Sequence, residues 1–120
     1  MSNSYLERVK EVTALEGYSY RLWEYQASLS MLTIRAHRHP DKPGHNIHIV
    51  FQGVAYLQMP ISWKAGDFRL GSEAELREVV KRIGLTDFDL NKFFKADTPN
   101  GTVYVLGSVA AILRDVEPLY

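Results

Sequence analysis

All four histidines of this 120-residue chain, His37, His39, His45 and His48, fall in one segment. Imidazole is a common transition-metal ligand, and its ordinary pKa near 6.5 suits it to acid–base work at neutral pH. That segment therefore holds the side chains best suited to chemistry. Two features count against it. His39 and His45 sit in residues 38–45, RHPDKPGH, where two prolines and a glycine dictate a loop that holds no side chain in place. Asp41 is the one acidic residue of the segment, and the sequence supplies neither a matching nucleophile nor an orienting carboxylate. Solvated loop histidines are the simpler reading, so no metal and no cofactor is assigned. His37 and His48, on the strands flanking the loop, form the best-defined pair.

Other motifs fall short in specific ways. Gly107-Ser108 lacks the G-x-S-x-G frame of a nucleophile elbow. Asp87, Asp89 and Asn91 match the opening of a calcium loop, but Lys92 stands where glycine is needed and Thr98 where a bidentate glutamate belongs. Local capping by short polar side chains explains the three better. The eight glycines form no phosphate cradle. With no catalytic motif, the chain reads as non-enzymatic.

Composition narrows the classes further. Fourteen basic residues balance fourteen acidic ones, which leaves no electrostatic footprint for nucleic acid. The absence of cysteine removes disulfides, thiolate zinc sites and thiol catalysis. No apolar run approaches the roughly 18 residues of a membrane helix, and the charged N-terminus lacks the apolar core of a secretion signal. A cytoplasmic protein is the expectation, folded as one domain over residues 1–120, with 114–120 as a loose C-terminal tail.

The elements that must position these residues follow from periodicity. Residues 4–17 read as a helix, with Tyr5, Val9 and Val12 on one face and Gly17 as a left-handed cap. Residues 18–26 and 29–37 read as strands. In the second, Leu32, Ile34 and Ala36 face the core, and Met31, Thr33, Arg35 and His37 face away. Residues 46–59, NIHIVFQGVAYLQM, are the longest β-rich run, interrupted at Gly53 by a bulge or a hairpin tip. Pairing the last two places Leu32 opposite Phe51, Ile34 opposite Ile49 and Arg35 opposite His48. Residues 62–66 read as a connection and 67–70 as a short strand. Residues 72–84 form a second helix, with a Ser72/Glu75 capping box, Leu76, Val79, Val80 and Ile83 on one stripe, and Gly84 as cap with Leu85 closing on Val80. Residues 92–97 and 102 onward form a hairpin around Thr98, Pro99, Asn100 and Gly101, with a bulge that aligns Phe94 with Leu106 and Ala96 with Tyr104.

The order αβββ(β)βαββ, without crossover helices between strands, predicts an α+β domain. Its sheet should be mainly antiparallel, of five to seven strands, with both amphipathic helices on one side. Tyr20, Met31 and Val50, with Tyr56, then fall on the face away from the helices, beside Arg35, His37 and His48. Such a face is apolar enough to call for a cover, either a second copy of the chain or a partner protein. The leading expectation is thus a non-enzymatic interaction module, a homodimer or a partner-binding protein of the inhibitor or immunity kind. The alternative is a small-ligand or metal-binding protein, or an enzyme, using Arg35, His37 and His48. It requires a concave pocket beside them, whereas the first requires a flat apolar patch.

Overall fold

A computed structural model describes residues 4–37, 46–84 and 89–116, with side chains as far as residue 114. Among them are α1 (Ser4–Thr13), β1 (Ser19–Gln26), β2 (Met31–His37), β3 (Asn46–Gln58), β4 (Ser62–Trp63), β5 (Arg69–Leu70), α2 (Glu73–Ile83), β6 (Phe93–Thr98) and β7 (Gly101–Val116). The strands form one sheet in the order β4-β1-β2-β3-β7-β6-β5, and every pairing is antiparallel. This is the α+β fold that the element order implies.

The sheet must curl. Its edge strands, β4 and β5, are joined through residues 64–68 alone. Seven flat strands would set those edges about 29 Å apart, at ~4.8 Å per gap. Six residues of extended chain, from Trp63 to Arg69, reach only about 21 Å. The short connection therefore draws the edges together into an incomplete barrel, and residues 64–68 bridge the seam. Gly66 lies so close to the β6 backbone that a Cβ there would sit 2.7 Å from the Asp97 carbonyl oxygen and 2.6 Å from the Thr98 methyl. Only glycine fits that approach.

The inside of the curl is the main core. Leu32, Ile34 and Ala36 of β2 meet Ile47, Ile49 and Phe51 of β3, Phe94 and Ala96 of β6, and Val103, Val105 and Val109 of β7. Val9 and Val12 of α1, with Leu15, close it from within the curl. Full burial of each such large side chain contributes about 1.5–3 kcal/mol.

The second helix goes elsewhere. Leu76 and Val79 of α2 pack on Phe93 and Leu106, with Tyr56 and Tyr104 alongside. Phe93 and Leu106 neighbour the inward Phe94 and Val105 in sequence, so they face outward. The helices thus lie on opposite faces of the sheet, which corrects the one-sided arrangement expected from sequence. The cause is that β6 and β7 are apolar on both faces at this end and need a cover on each.

Local signals held well for α2. Glu75 N–H donates to the Ser72 hydroxyl at 3.1 Å, and Ser72 N–H donates to the Glu75 carboxylate at 2.7 Å. Gly84 adopts φ 80° and its N–H donates to the Val80 carbonyl; Leu85 lies outside the described residues. The register of β2 on β3 is the expected one, Leu32 with Phe51, Ile34 with Ile49 and Arg35 with His48. Gly53, at φ 60°, sits within β3 where its register on β7 shifts, so the interruption is a bulge.

Four expectations are corrected. Helix α1 ends at Thr13, whose hydroxyl donates back to the Val9 carbonyl at 3.0 Å. Residues 62–63, read as connection, form β4 against Tyr20 and Arg21. The β6–β7 hairpin closes with Thr98 opposite Gly101 and only Pro99 and Asn100 between, so Phe94 faces Val105 and Lys95 faces Tyr104. The anticipated bulge would have slid that register by one residue. Finally, β7 runs on to Val116 and Arg114 pairs with Glu11 at 2.8 Å, so 114–116 are strand rather than tail; 117–120 lie outside the described residues.

Candidate functional site

The seam leaves a groove. Where the β4–β1 edge approaches the β6–β7 turn, a cavity of about 630 Å³ opens to solvent, bordered by Ser19, Arg21, His37, Ser62, Lys64 and Asn100. Tyr20 and Trp63 also border it, stacked on each other with centroids 5.3 Å apart. The mouth of a β-barrel is a recurrent place for small-molecule sites.

The charge in this groove is one-sided. Arg21, Lys64 and His37 line it, and among the described residues no aspartate or glutamate does. Among the described residues, neither Arg21 nor Lys64 has an ion pair or a side-chain hydrogen bond. Nearby Asp67 is already engaged. Its carboxylate accepts from the Tyr20 hydroxyl at 2.8 Å and from Gly17 N–H at 3.0 Å. Nδ1 of His37 is buried and has no hydrogen-bond partner among the described residues. Burial, then the charges of Arg35, Arg21 and Lys64, push the His37 ring below its ordinary pKa, favouring the neutral form.

The remaining sequence-predicted residues separate into two groups. Tyr20 is a correction: it lies inside the curl, fully buried against Trp63 and Phe68. The Ser19–Gln26 strand carries a bulge between Leu22 and Glu24, and both of its faces are aromatic, so alternation did not reveal the inward side. Tyr56 is also not on a bare face; it packs beside α2. Met31 and Val50 do face outward, half-buried. Without the two tyrosines, the expected apolar patch shrinks to these two side chains and their neighbours.

Arg35 and His48 meet as their register implies. Arg35 Nε donates to His48 Nε2 at 3.1 Å, and its guanidinium lies 4.0 Å from the centroid of Trp23. Trp23 also tilts against the His48 ring at 5.4 Å. An imidazole nitrogen that accepts from arginine must be unprotonated, so this ring is neutral with its proton on Nδ1. Burial and then Arg35 push its pKa down. Arg35 is itself lowered by burial, then by Arg21. The trio is a packed stack, with Trp23 and His48 partly exposed, that holds its groups against one another.

The metal reading finds no support in the described residues, where no cluster of three His, Asp or Glu could hold an ion; His39, His45 and Asp41 lie outside them. Asp89 caps its own turn, accepting from Asn91 N–H at 2.9 Å, and Asp87 again lies outside. No described helix is long and apolar enough to cross a membrane.

Comparison with known protein families, with curated proteins and with solved structures finds no match to this chain. The groove's own geometry therefore carries the functional argument. Sequence reasoning placed His37 in the site but missed Arg21 and Lys64. They lie 43 residues apart in sequence (64 − 21), and the pairing of β4 on β1, with Arg21 opposite Ser62 and Tyr20 opposite Trp63, brings them to one opening. No local signal marks either.

Proposed function

We propose that this is a small-ligand-binding protein whose site is the groove at the barrel seam. The single observation that carries the reading is a concave opening bordered by His37, Arg21 and Lys64, with no acidic side chain in its lining among the described residues. Four other basic residues, Arg69, Arg77, Lys95 and Arg114, do pair with acids. Two cations gathered in one concavity without a described acidic partner, beside a buried imidazole nitrogen with no partner among the described residues, support a site that waits for a ligand. The reading stops at binding.

The test is amide chemical-shift mapping with a library of small soluble fragments of varied charge. Under this reading, responding amides cluster at Ser19, Arg21, His37, Ser62, Lys64 and Asn100. Fragments that leave those amides unmoved while shifting others would overturn it.

A second reading, a protein-binding surface, draws on exposed apolar side chains. Ile61 is 71% and Leu29 61% exposed, and Tyr25 is also exposed. These flank a shallow apolar cleft of about 330 Å³ bordered by Leu22, Tyr25, Val54 and Leu57. A dimer or a partner chain covering that side would protect Leu29 and Ile61 from hydrogen exchange at high protein concentration or in the presence of that partner.

A further inference from the structure

We propose that the groove takes a small compound bearing a doubly charged tetrahedral oxyanion, a phosphate monoester head, and that binding brings a proton onto His37. The proposal rests on the ligand-binding reading above and adds the ligand's chemical class and its proton linkage.

Charge and valence select the class. Arg21 and Lys64 supply two positive charges with no acidic partner. A single carboxylate would leave one in excess, whereas a dianion balances both. A tetrahedral head also offers acceptor oxygens in several directions. The Arg21 guanidinium presents a rigid fork of donors, Lys64 a mobile ammonium, and Ser19, Ser62 and Asn100 add neutral donor groups along the wall.

His37 adds the proton linkage. Among the described residues, the charged groups that face it are all cationic: Arg35 on its own strand, Arg21 on β1 and Lys64 just past β4. Their field, together with burial, keeps the ring neutral at neutral pH. A dianion seated among them reverses the sign of that field. The ring then favours its charged form, takes a proton from the buffer, and gains a second N–H donor. Binding and proton uptake are consequently linked, and affinity falls as pH rises through neutrality.

Sulfate is the right probe, because it stays a dianion over the whole range in which histidine titrates. The experiment is calorimetric titration of the full chain with sodium sulfate, against sodium chloride at matched ionic strength. It is run near pH 7, about the histidine range, in two buffers of different ionisation enthalpy. The expected result is saturable sulfate binding with net proton uptake and an affinity that drops by up to about tenfold per pH unit at its steepest. Arg21→Met and Lys64→Met should each weaken it by about tenfold or more. His37→Gln should retain weakened binding and lose the proton uptake. Arg77→Met, on the far helix, should bind as the parent does. Equal sulfate effects in all variants, or effects matched by chloride, would overturn the proposal. So would sulfate binding without proton uptake. Neutral fragments that map to the groove where sulfate does not would overturn the anion class while leaving the ligand-binding reading in place.

Discussion

Two clusters of charge sit near opposite edges of the same curled sheet, and the chain treats them in opposite ways. Under α2, Lys95 is 8% exposed and its ammonium is held by Glu75, with Asp97 at 3.5 Å. Arg69 binds the same two carboxylates, at 3.5 Å to Glu75 and 3.1 Å to Asp97. Glu75 also caps α2 by accepting from Ser72 N–H. Asp97 is held below the usual carboxylate range, chiefly by its hydrogen bond from Arg69. At the seam, Arg21, Lys64 and His37 have no such partners among the described residues. The first cluster is closed on itself and serves the fold. The second has no acidic partner among the described residues. The difference sets a structural group of charges against the one proposed to bind.

That contrast can be broken by substitution. The largest effect should come from Glu75→Ala, which strands the Lys95 ammonium and removes a helix cap at once. Breaking a largely buried pair costs about 3–5 kcal/mol. With Asp97 still nearby and Glu75 partly exposed, about 2–4 kcal/mol is expected from urea unfolding. Next comes Gly66→Ala, which drives a methyl into the β6 backbone at the seam. Over-packing of this kind costs about 1–3 kcal/mol, and amide shifts should spread to Asp97 and Thr98.

A smaller effect belongs to His48. Its pKa is depressed in the folded state, so the unfolded chain binds more protons between the folded value and about 6.5. Stability then rises with pH across that window, is complete above about pH 6.5, and is lost as pH falls through the folded value. His48→Gln keeps an acceptor for Arg35 but cannot titrate. It should flatten the fall in melting temperature between about pH 7 and pH 5. The smallest effect is the most telling. Arg21→Met with Lys64→Met should alter stability by no more than about 0.5 kcal/mol in either direction, because those charges hold nothing together. A loss as large as that of Glu75→Ala would erase the distinction between the two regions.

Legibility followed the range of the interactions involved. The capping box of α2 and the facing rows of β2 and β3 were readable, since Leu32, Ile34 and Ala36 alternate cleanly with polar neighbours. The β6–β7 register slipped by one because Phe93 and Phe94 are both apolar, and so are Tyr104, Val105 and Leu106. Alternation has no power where both faces are covered. Tyr20 was misplaced for the same reason, on a strand with aromatic residues on either side. The groove was illegible for another reason. It exists because a short link spans the two edges of a sheet, and that closure is a property of the whole topology rather than of any segment.

The field in the groove is the central claim, and His37 reports it directly. Its ring should be titrated by NMR in the parent chain and in the Arg21→Met, Lys64→Met variant. The account predicts a pKa below the ordinary histidine value of about 6.5 in the parent, rising when the two cations are removed. A parent value at or above the ordinary one, unmoved by those substitutions, would mean that the groove's charge is already neutralised and would contradict it.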